Sequence, residues 1–341
     1  MTRRILITTW ASLGIAVFLS SCGDGGGGSS ETGDQPNRIA YITNGVADFW
    51  TIAEAGANKA AEDVGAEAMV LMPSSLTDQK QMMEDVITRG VDGVAVSPIN
   101  SENQTDMLNE VAAATLLATH DSDAPESDRL VYIGMDNYTA GRMCGELVKE
   151  ALPDGGEVAI LVGRMEQDNA RQRRQGVIDE LLDRSDDASR FDPAGKPIKG
   201  DKYTVLTTLT DGFDMAKAKA NAEDALSRYP DIDAMVGLFA YNPPAILQAL
   251  EQAGKLNTIK VIGFDEQAET LAAIQAGTVH GTVVQNPYMY GYKSVELLNA
   301  IANGDNSVIP ENKILHIDGR QIRKDNVDEF WADLKEKTGK P

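Results

Sequence analysis

Residues 259–288 read IKVIGFDEQAETLAAIQAGTVHGTVVQNPY, and the fold can be argued outward from them. Two apolar runs, IKVIGFD at 259–265 and VHGTVVQN at 279–286, flank a segment that suits a helix. Runs this apolar are usually buried on both faces, which calls for a parallel sheet covered by helices on each side. The same alternation starts at Asn37, with strand candidates at 38–44, 66–73, 93–98, 115–121, 131–137, 157–163, 203–211 and 234–242. Between them, 49–64 places Ile52, Ala53, Ala57, Ala60 and Val64 on one helical face, and 78–89 does the same with Met82, Met83, Val86 and Ile87. These are too many strands for one ordinary sheet. The sequence therefore predicts an α/β protein of two doubly wound parallel-sheet lobes, each presenting the carboxyl ends of its strands to a ligand. A closed eight-fold barrel would need near-equal units and would leave the weakly apolar stretch 184–202 unexplained.

Length and composition agree with this division. The chain has 341 residues, 42% of them apolar, enough for two cores. Its formal net charge is −21, from 31 basic and 52 acidic side chains, a field that repels phosphate backbones and disfavours nucleic acid as a partner. Cys22 and Cys144 are the only cysteines, and His120, His280 and His316 show no ligand spacing, so neither a metal site nor a cofactor is expected.

Arg3 and Arg4 precede an uncharged run from Ile5 to Leu19, shorter than the roughly 20 apolar residues of a membrane-spanning helix. This reads as a signal peptide over 1–21. It ends Leu19, Ser20, Ser21, Cys22, which resembles the bacterial lipoprotein processing box, where the cysteine becomes the acylated N-terminus. The glycine-rich residues that follow, within 22–36, make a flexible tether. The expected location is the periplasm or cell envelope, with the membrane reached by the lipid anchor only.

In a doubly wound fold, residues at or just past strand ends converge: here Asn44, Ser97, Asp121, Asn137, Arg164, Asn242, Asp265 and Gln285. They supply carboxylates, amides and an arginine, with no nucleophile paired to a base. Phe49, Trp50, Phe213 and Tyr241 lie nearby. Aromatic faces beside groups that read hydroxyls suit a sugar. Any one of these Asp or Asn residues could instead be a turn former or helix cap. Their convergence on one edge favours a binding role.

The motifs TNGVADFW (43–50), THDSDAPESDRLVYIGMDN (119–137), NARQRRQG (169–176), AYNPPAILQALEQAGK (240–255) and the stretch 261–298 resemble the sugar-binding periplasmic proteins of ABC transporters, of the ribose and galactose type. The resemblance covers about 36–320. It implies two similar lobes joined by a three-segment hinge, with 37–136 plus 286–316 in the N-terminal lobe and 137–285 plus 317–341 in the C-terminal lobe. The ligand-binding set it implies adds Arg171 to Asn44, Phe49, Trp50, Asp121, Asn137, Phe213, Asn242, Asp265 and Gln285. Two departures point away from the ribose pattern: Ser122 stands where ribose-type members carry an arginine, and Ser97 replaces an asparagine. Asp123 reads as a solvated loop charge.

The expected function is capture of a monosaccharide and delivery to an ABC transporter permease, by a monomer that is not an enzyme. A carbohydrate sensor feeding a membrane receptor or kinase would share every one of these residues. A related transcriptional repressor is disfavoured by the secretory start, and a hydrolase built on Asp121 and Asp265 lacks any second feature asking for chemistry.

Overall fold

The computed structural model describes residues 35–339, and in it neighbouring residues along the central strands serve different cores. The signal peptide, Cys22 and most of the tether lie outside the described residues. In β1 (Arg38–Ile42), Ile39 and Tyr41 enter one apolar cluster while Ala40 and Ile42 enter another. This two-sided burial is why the strand reads as continuously apolar.

The chain continues through α1 (Asp48–Val64), β2 (Glu67–Leu71), α2 (Leu76–Arg89), β3 (Gly93–Val96), α3 (Ser101–Ala114), β4 (Leu116–His120) and β5 (Val131–Gly134). It then crosses to a second sheet and builds α4 (Asn137–Ala151), β6 (Gly156–Val162), α5 (Asp168–Leu181), β7 (Ile198–Lys199), β8 (Tyr203–Thr210), α6 (Met215–Arg228), β9 (Ala234–Gly237), α7 (Asn242–Gln252), β10 (Lys260–Phe264), α8 (Ala268–Ala276) and β11 (Gly281–Val284). α9 (Pro287–Ala302) and β12 (Ile314–His316) return to the first sheet, and β13 (Arg320–Ile322) and α10 (Val327–Thr338) end on the second.

The first sheet has the order β12-β5-β4-β3-β1-β2 and is parallel throughout. The second runs β13-β11-β10-β9-β6-β8-β7, with its two short edge strands antiparallel to their neighbours. β7, β12 and β13 were not expected from sequence, because two or three residues carry no readable alternation. The stretch 184–202 is held by charge: fully buried Asp179 accepts hydrogen bonds from Tyr138 Oη at 2.8 Å and Arg190 Nη1 at 2.6 Å, and Asp192 pairs with Arg184 at 2.6 Å.

Each lobe contains one unusually close helix crossing. A Cβ on Gly56 of α1 would lie 1.9 Å from the Tyr288 carbonyl oxygen of α9, and one on Gly291 would lie 1.9 Å from that of Ala53. In the other lobe, a Cβ on Gly141 of α4 would meet the Arg173 carbonyl oxygen at 2.0 Å, and one on Gly176 of α5 that of Tyr138 at 2.1 Å. Only glycine permits such contact. The second crossing fixes the phase of α5, and with it the direction in which Arg173 points.

Candidate ligand-binding cleft

The carboxyl ends of both sheets border one cavity of about 810 Å³. Asn44, Phe49, Trp50 and Asp121 line it from the first lobe, and Phe213, Asp265 and Gln285 from the second or its boundary. Three of these residues have backbone conformations that L-amino acids rarely adopt: Asp121, Phe213 and Asp265 have φ of 57°, 70° and 66°. Left-handed backbone at a bulky phenylalanine costs energy, and such strain collects where side chains must be aimed at a ligand.

Asp121 gathers donors from both lobes. Its carboxylate accepts from Ser97 Oγ at 3.1 Å, Asn44 Nδ2 at 3.3 Å, Asn169 Nδ2 at 3.3 Å and Arg173 Nη2 at 3.4 Å. Asn169 and Arg173 belong to α5 of the other lobe, so Asp121 ties the two lobes together. Burial raises its pKa above the ordinary carboxylate value, against the pull of Arg173 and the hydrogen bonds of Ser97 and Asn169. Beneath it, neutral His120 stacks on Tyr41 and meets the edge of Trp50; burial lowers its pKa to about 3.

Asp265 is held from a different direction. Met135 N donates to Tyr290 Oη at 3.1 Å, Tyr290 Oη donates to Gln285 Oε1 at 3.0 Å, and Gln285 Nε2 donates to Asp265 Oδ1 at 2.9 Å. Met135 and Gln285 each sit where the chain passes from one sheet to the other, so this relay joins the boundary segments to the cavity. Burial pushes the Asp265 carboxyl up to about 7, opposed by Arg173 and Gln285. Glu266 also lines the cavity, and both of its carboxylate oxygens are buried without a protein partner; burial and the neighbouring Asp265 push it well above its usual range.

The aromatic walls come from both lobes. Phe49 and Trp50 meet edge to face at 4.7 Å, while Phe213 packs edge to face on Phe239 at 5.4 Å. Asp211 secures the second wall, accepting from Phe213 N at 2.9 Å, Tyr241 Oη at 2.5 Å and Asn242 Nδ2 at 2.9 Å.

Three residues expected in the binding set do not line this cavity. Asn242 is fully buried, where it holds Asp211 and accepts from Phe239 N at 3.1 Å. Asn137 is buried beside the Asp121 backbone and accepts from Arg173 Nε at 2.8 Å, so it orients that arginine. Arg171 pairs with Glu102 of the first lobe at 3.1 Å and with Asp168 at 3.4 Å. Two arginines line the cavity: Arg164, as expected of a strand-end residue, with its guanidinium 4.9 Å from the Phe213 ring centroid, and Arg173, almost wholly buried, with its guanidinium 4.1 Å from the Phe264 ring centroid. Two residues along a helix are about 200° around it, so Arg171 and Arg173 face different surroundings. Gly176, three residues on, shares the face of Arg173 that packs against α4, a contact that the fold and not the sequence discloses. Asp123 is no solvated charge either; it is buried in a bidentate pair with Arg129, both bonds at 2.6 Å.

Among the described residues, no cluster of His, Cys, Asp and Glu could hold a metal ion, and no helix is long and apolar enough to cross a membrane.

A cleft between two parallel sheets, lined by buried carboxylates and aromatics, is built to enclose a small polar solute. A family model for the periplasmic binding protein domain matches residues 39–306. The chain belongs to that family. This periplasmic binding protein is 26% identical over 265 residues to the ribose import binding protein of Salmonella typhimurium, covering 75% of this chain and 81% of the relative. It is 24% identical over 270 residues to the D-ribose/D-allose-binding protein of Pseudomonas aeruginosa, covering 75% and 79%. Among solved structures, it matches an ABC transporter solute-binding protein from Burkholderia graminis in complex with D-arabinose, with a TM-score of 0.77 and 26% identity over 86% of this chain and 97% of the other. A glucose-galactose binding protein from Geobacillus stearothermophilus matches with a TM-score of 0.76 and 24% identity over 85% and 98%, a likeness of fold.

Proposed function

We propose that this periplasmic binding protein captures a monosaccharide between its lobes and delivers it to an ABC transporter permease, as a lipoprotein anchored through Cys22. The observation that carries the reading is the pairing of strand-end carboxylates, Asp121 from one lobe and Asp265 from the other, on one cavity walled by aromatic side chains. A sugar ring offers C–H faces to Phe49, Trp50 and Phe213 and hydroxyls to the carboxylates. Arg173 donates to Asp121 and, on this reading, to a sugar oxygen as well. The similarity to ribose, allose and arabinose binders supports the same solute class.

The segments between β5 and α4, between β11 and α9, and between β12 and β13 would act as the hinge. Only the closed state lets both lobes touch the ligand, so the ligand's differential affinity draws the lobes together. One acyl chain alone anchors weakly, and stable retention at Cys22 needs more than one.

Calorimetric titration with D-ribose, D-arabinose, D-allose, D-glucose and D-galactose tests the reading. At least one sugar should bind, and Asp265→Ala should weaken that sugar by about tenfold or more, the loss of a charge-assisted hydrogen bond. Absence of binding across the panel would refute the solute class, and an unaltered Asp265→Ala would refute the site.

A further inference from the structure

Of the two cations that line the cavity, Arg173 is paired with Asp121 at 3.4 Å, whereas half-buried Arg164 is in no ion pair among the described residues. The chain carries 52 acidic side chains against 31 basic, so a cavity-wall cation left without a carboxylate runs against the composition. The four lining acids are Asp121, Asp265 and Glu266, just past β4 and β10, and exposed Asp48 at the start of α1. None of them forms an ion pair with Arg164.

Arg164 is nevertheless held in place. Gly212 N donates to the Gly163 carbonyl at 2.9 Å, which ties the end of β6 to the end of β8, and Arg164 Nη2 donates to the Gly212 carbonyl at 3.1 Å. The guanidinium lies 4.9 Å from the Phe213 ring centroid. A Cβ on Gly163 would come within 2.7 Å of that ring, so the glycine before the arginine is what lets the ring pack against the strand end. Phe213 is fixed in turn by the bond from its N–H to Asp211. The Gly212 carbonyl takes one N–H of the guanidinium, and the others have no protein acceptor. A positioned guanidinium with donors to spare matches a carboxylate in charge and in geometry.

The spacing suits a single sugar. Arg164 and Asp265 follow β6 and β10, with β9 between them, a separation of two strand intervals or about 10 Å. One sugar ring and the two side chains together span that distance. A ring held by Asp265 therefore presents a substituent on its opposite side to Arg164.

We propose that Arg164 is a specificity-determining residue and that the preferred solute is an acidic monosaccharide of the hexuronate class. Its carboxylate takes the spare donors of Arg164 while its ring hydroxyls meet Asp121 and Asp265. The inference rests on the sugar reading above. A hydroxymethyl group at the same position carries no charge and forms the weaker hydrogen bond, so Arg164 separates uronates from neutral hexoses.

Matched pairs test this, because D-glucuronate and D-galacturonate differ from D-glucose and D-galactose only in carrying a carboxylate in place of the hydroxymethyl group. Both uronates are titrated calorimetrically beside the five neutral sugars. At least one uronate should bind about tenfold or more tightly than its neutral partner, the effect of a charge-assisted bond. That preference should fall below about threefold in Arg164→Met and in Arg164→Gln. Binding of a neutral sugar, with neither uronate tighter than its partner, would overturn the proposal and leave the sugar reading standing. A preference unchanged in both variants would overturn the role of Arg164. Failure of every neutral sugar and of both uronates would instead overturn the sugar reading, and the acidic solute with it.

Discussion

The guanidinium of Arg173 reaches from α5 to within 3.4 Å of the Asp121 carboxylate at the end of β4, and both side chains are almost wholly buried. The two residues stand in different lobes, so this pair is at once an ion pair and a strut across the cleft. Replacing Arg173 by methionine leaves the Asp121 charge buried with only neutral donors. The fold should lose about 3–5 kcal/mol, the usual cost of removing one partner of a buried pair. Urea unfolding measures it, and a loss below about 1 kcal/mol would mean that Ser97, Asn44 and Asn169 suffice.

Gly141→Ala tests the close crossing of α4 and α5. The added methyl group would overlap the Arg173 carbonyl oxygen, and backbone cannot swing aside as a side chain can. The expected cost is about 1–3 kcal/mol. Because α5 carries Arg173 and Asn169, ligand affinity should fall with it. Loss of stability with unchanged affinity would separate the crossing from the site.

The Asp265 carboxyl gives a pH signature. Its folded pKa, about 7, stands above the ordinary value, so between about pH 4 and pH 7 the folded state keeps a proton that the unfolded state has lost. Its stabilising effect is complete below pH 4 and is lost as the pH rises through 7. Buried His120 acts in the opposite sense, with its folded pKa near 3 adding stability as the pH rises toward 6.5. The two are separated by Asp265→Asn: its stability relative to wild type should climb steadily from pH 4 to pH 7 in the free protein. A flat difference across that range would contradict the raised pKa.

Asp211 does not reach the cavity lining, yet it holds Phe213, Tyr241 and Asn242. In Asp211→Ala the left-handed backbone at Phe213 and the Tyr241 hydroxyl lose their acceptor, at a cost of about 1–3 kcal/mol. Sugar affinity should drop by about tenfold as the aromatic wall loosens. Calorimetry on the variant checks this, and undiminished affinity would leave Asp211 a purely structural residue.

The alternating pattern made the two-sheet architecture legible, because strands buried on both faces carry unbroken apolar runs and helices show their own period. The strand ends were legible too: Asp121, Asp265 and Gln285 follow runs that end abruptly in polar residues. Helical phase was not. NARQRRQG offers three arginines within four positions, and the one that enters the cleft is selected by the Gly141–Gly176 crossing, a tertiary contact. Asn137 and Asn242 show the same limit. A strand-end amide looks alike in sequence whether it faces a solute or, as here, braces Arg173 or Asp211 from behind. Glu266 carries no signal of its own beside Asp265, and its burial depends on how the segment after β10 folds back.

The most direct test is diffraction from crystals grown with the tightest-binding sugar. The expected density is a single ring within hydrogen-bonding distance of both Asp121 and Asp265, stacked against Phe49, Trp50 or Phe213. A sugar seated outside the cleft, or touching one lobe alone, would contradict the two-lobed clamp.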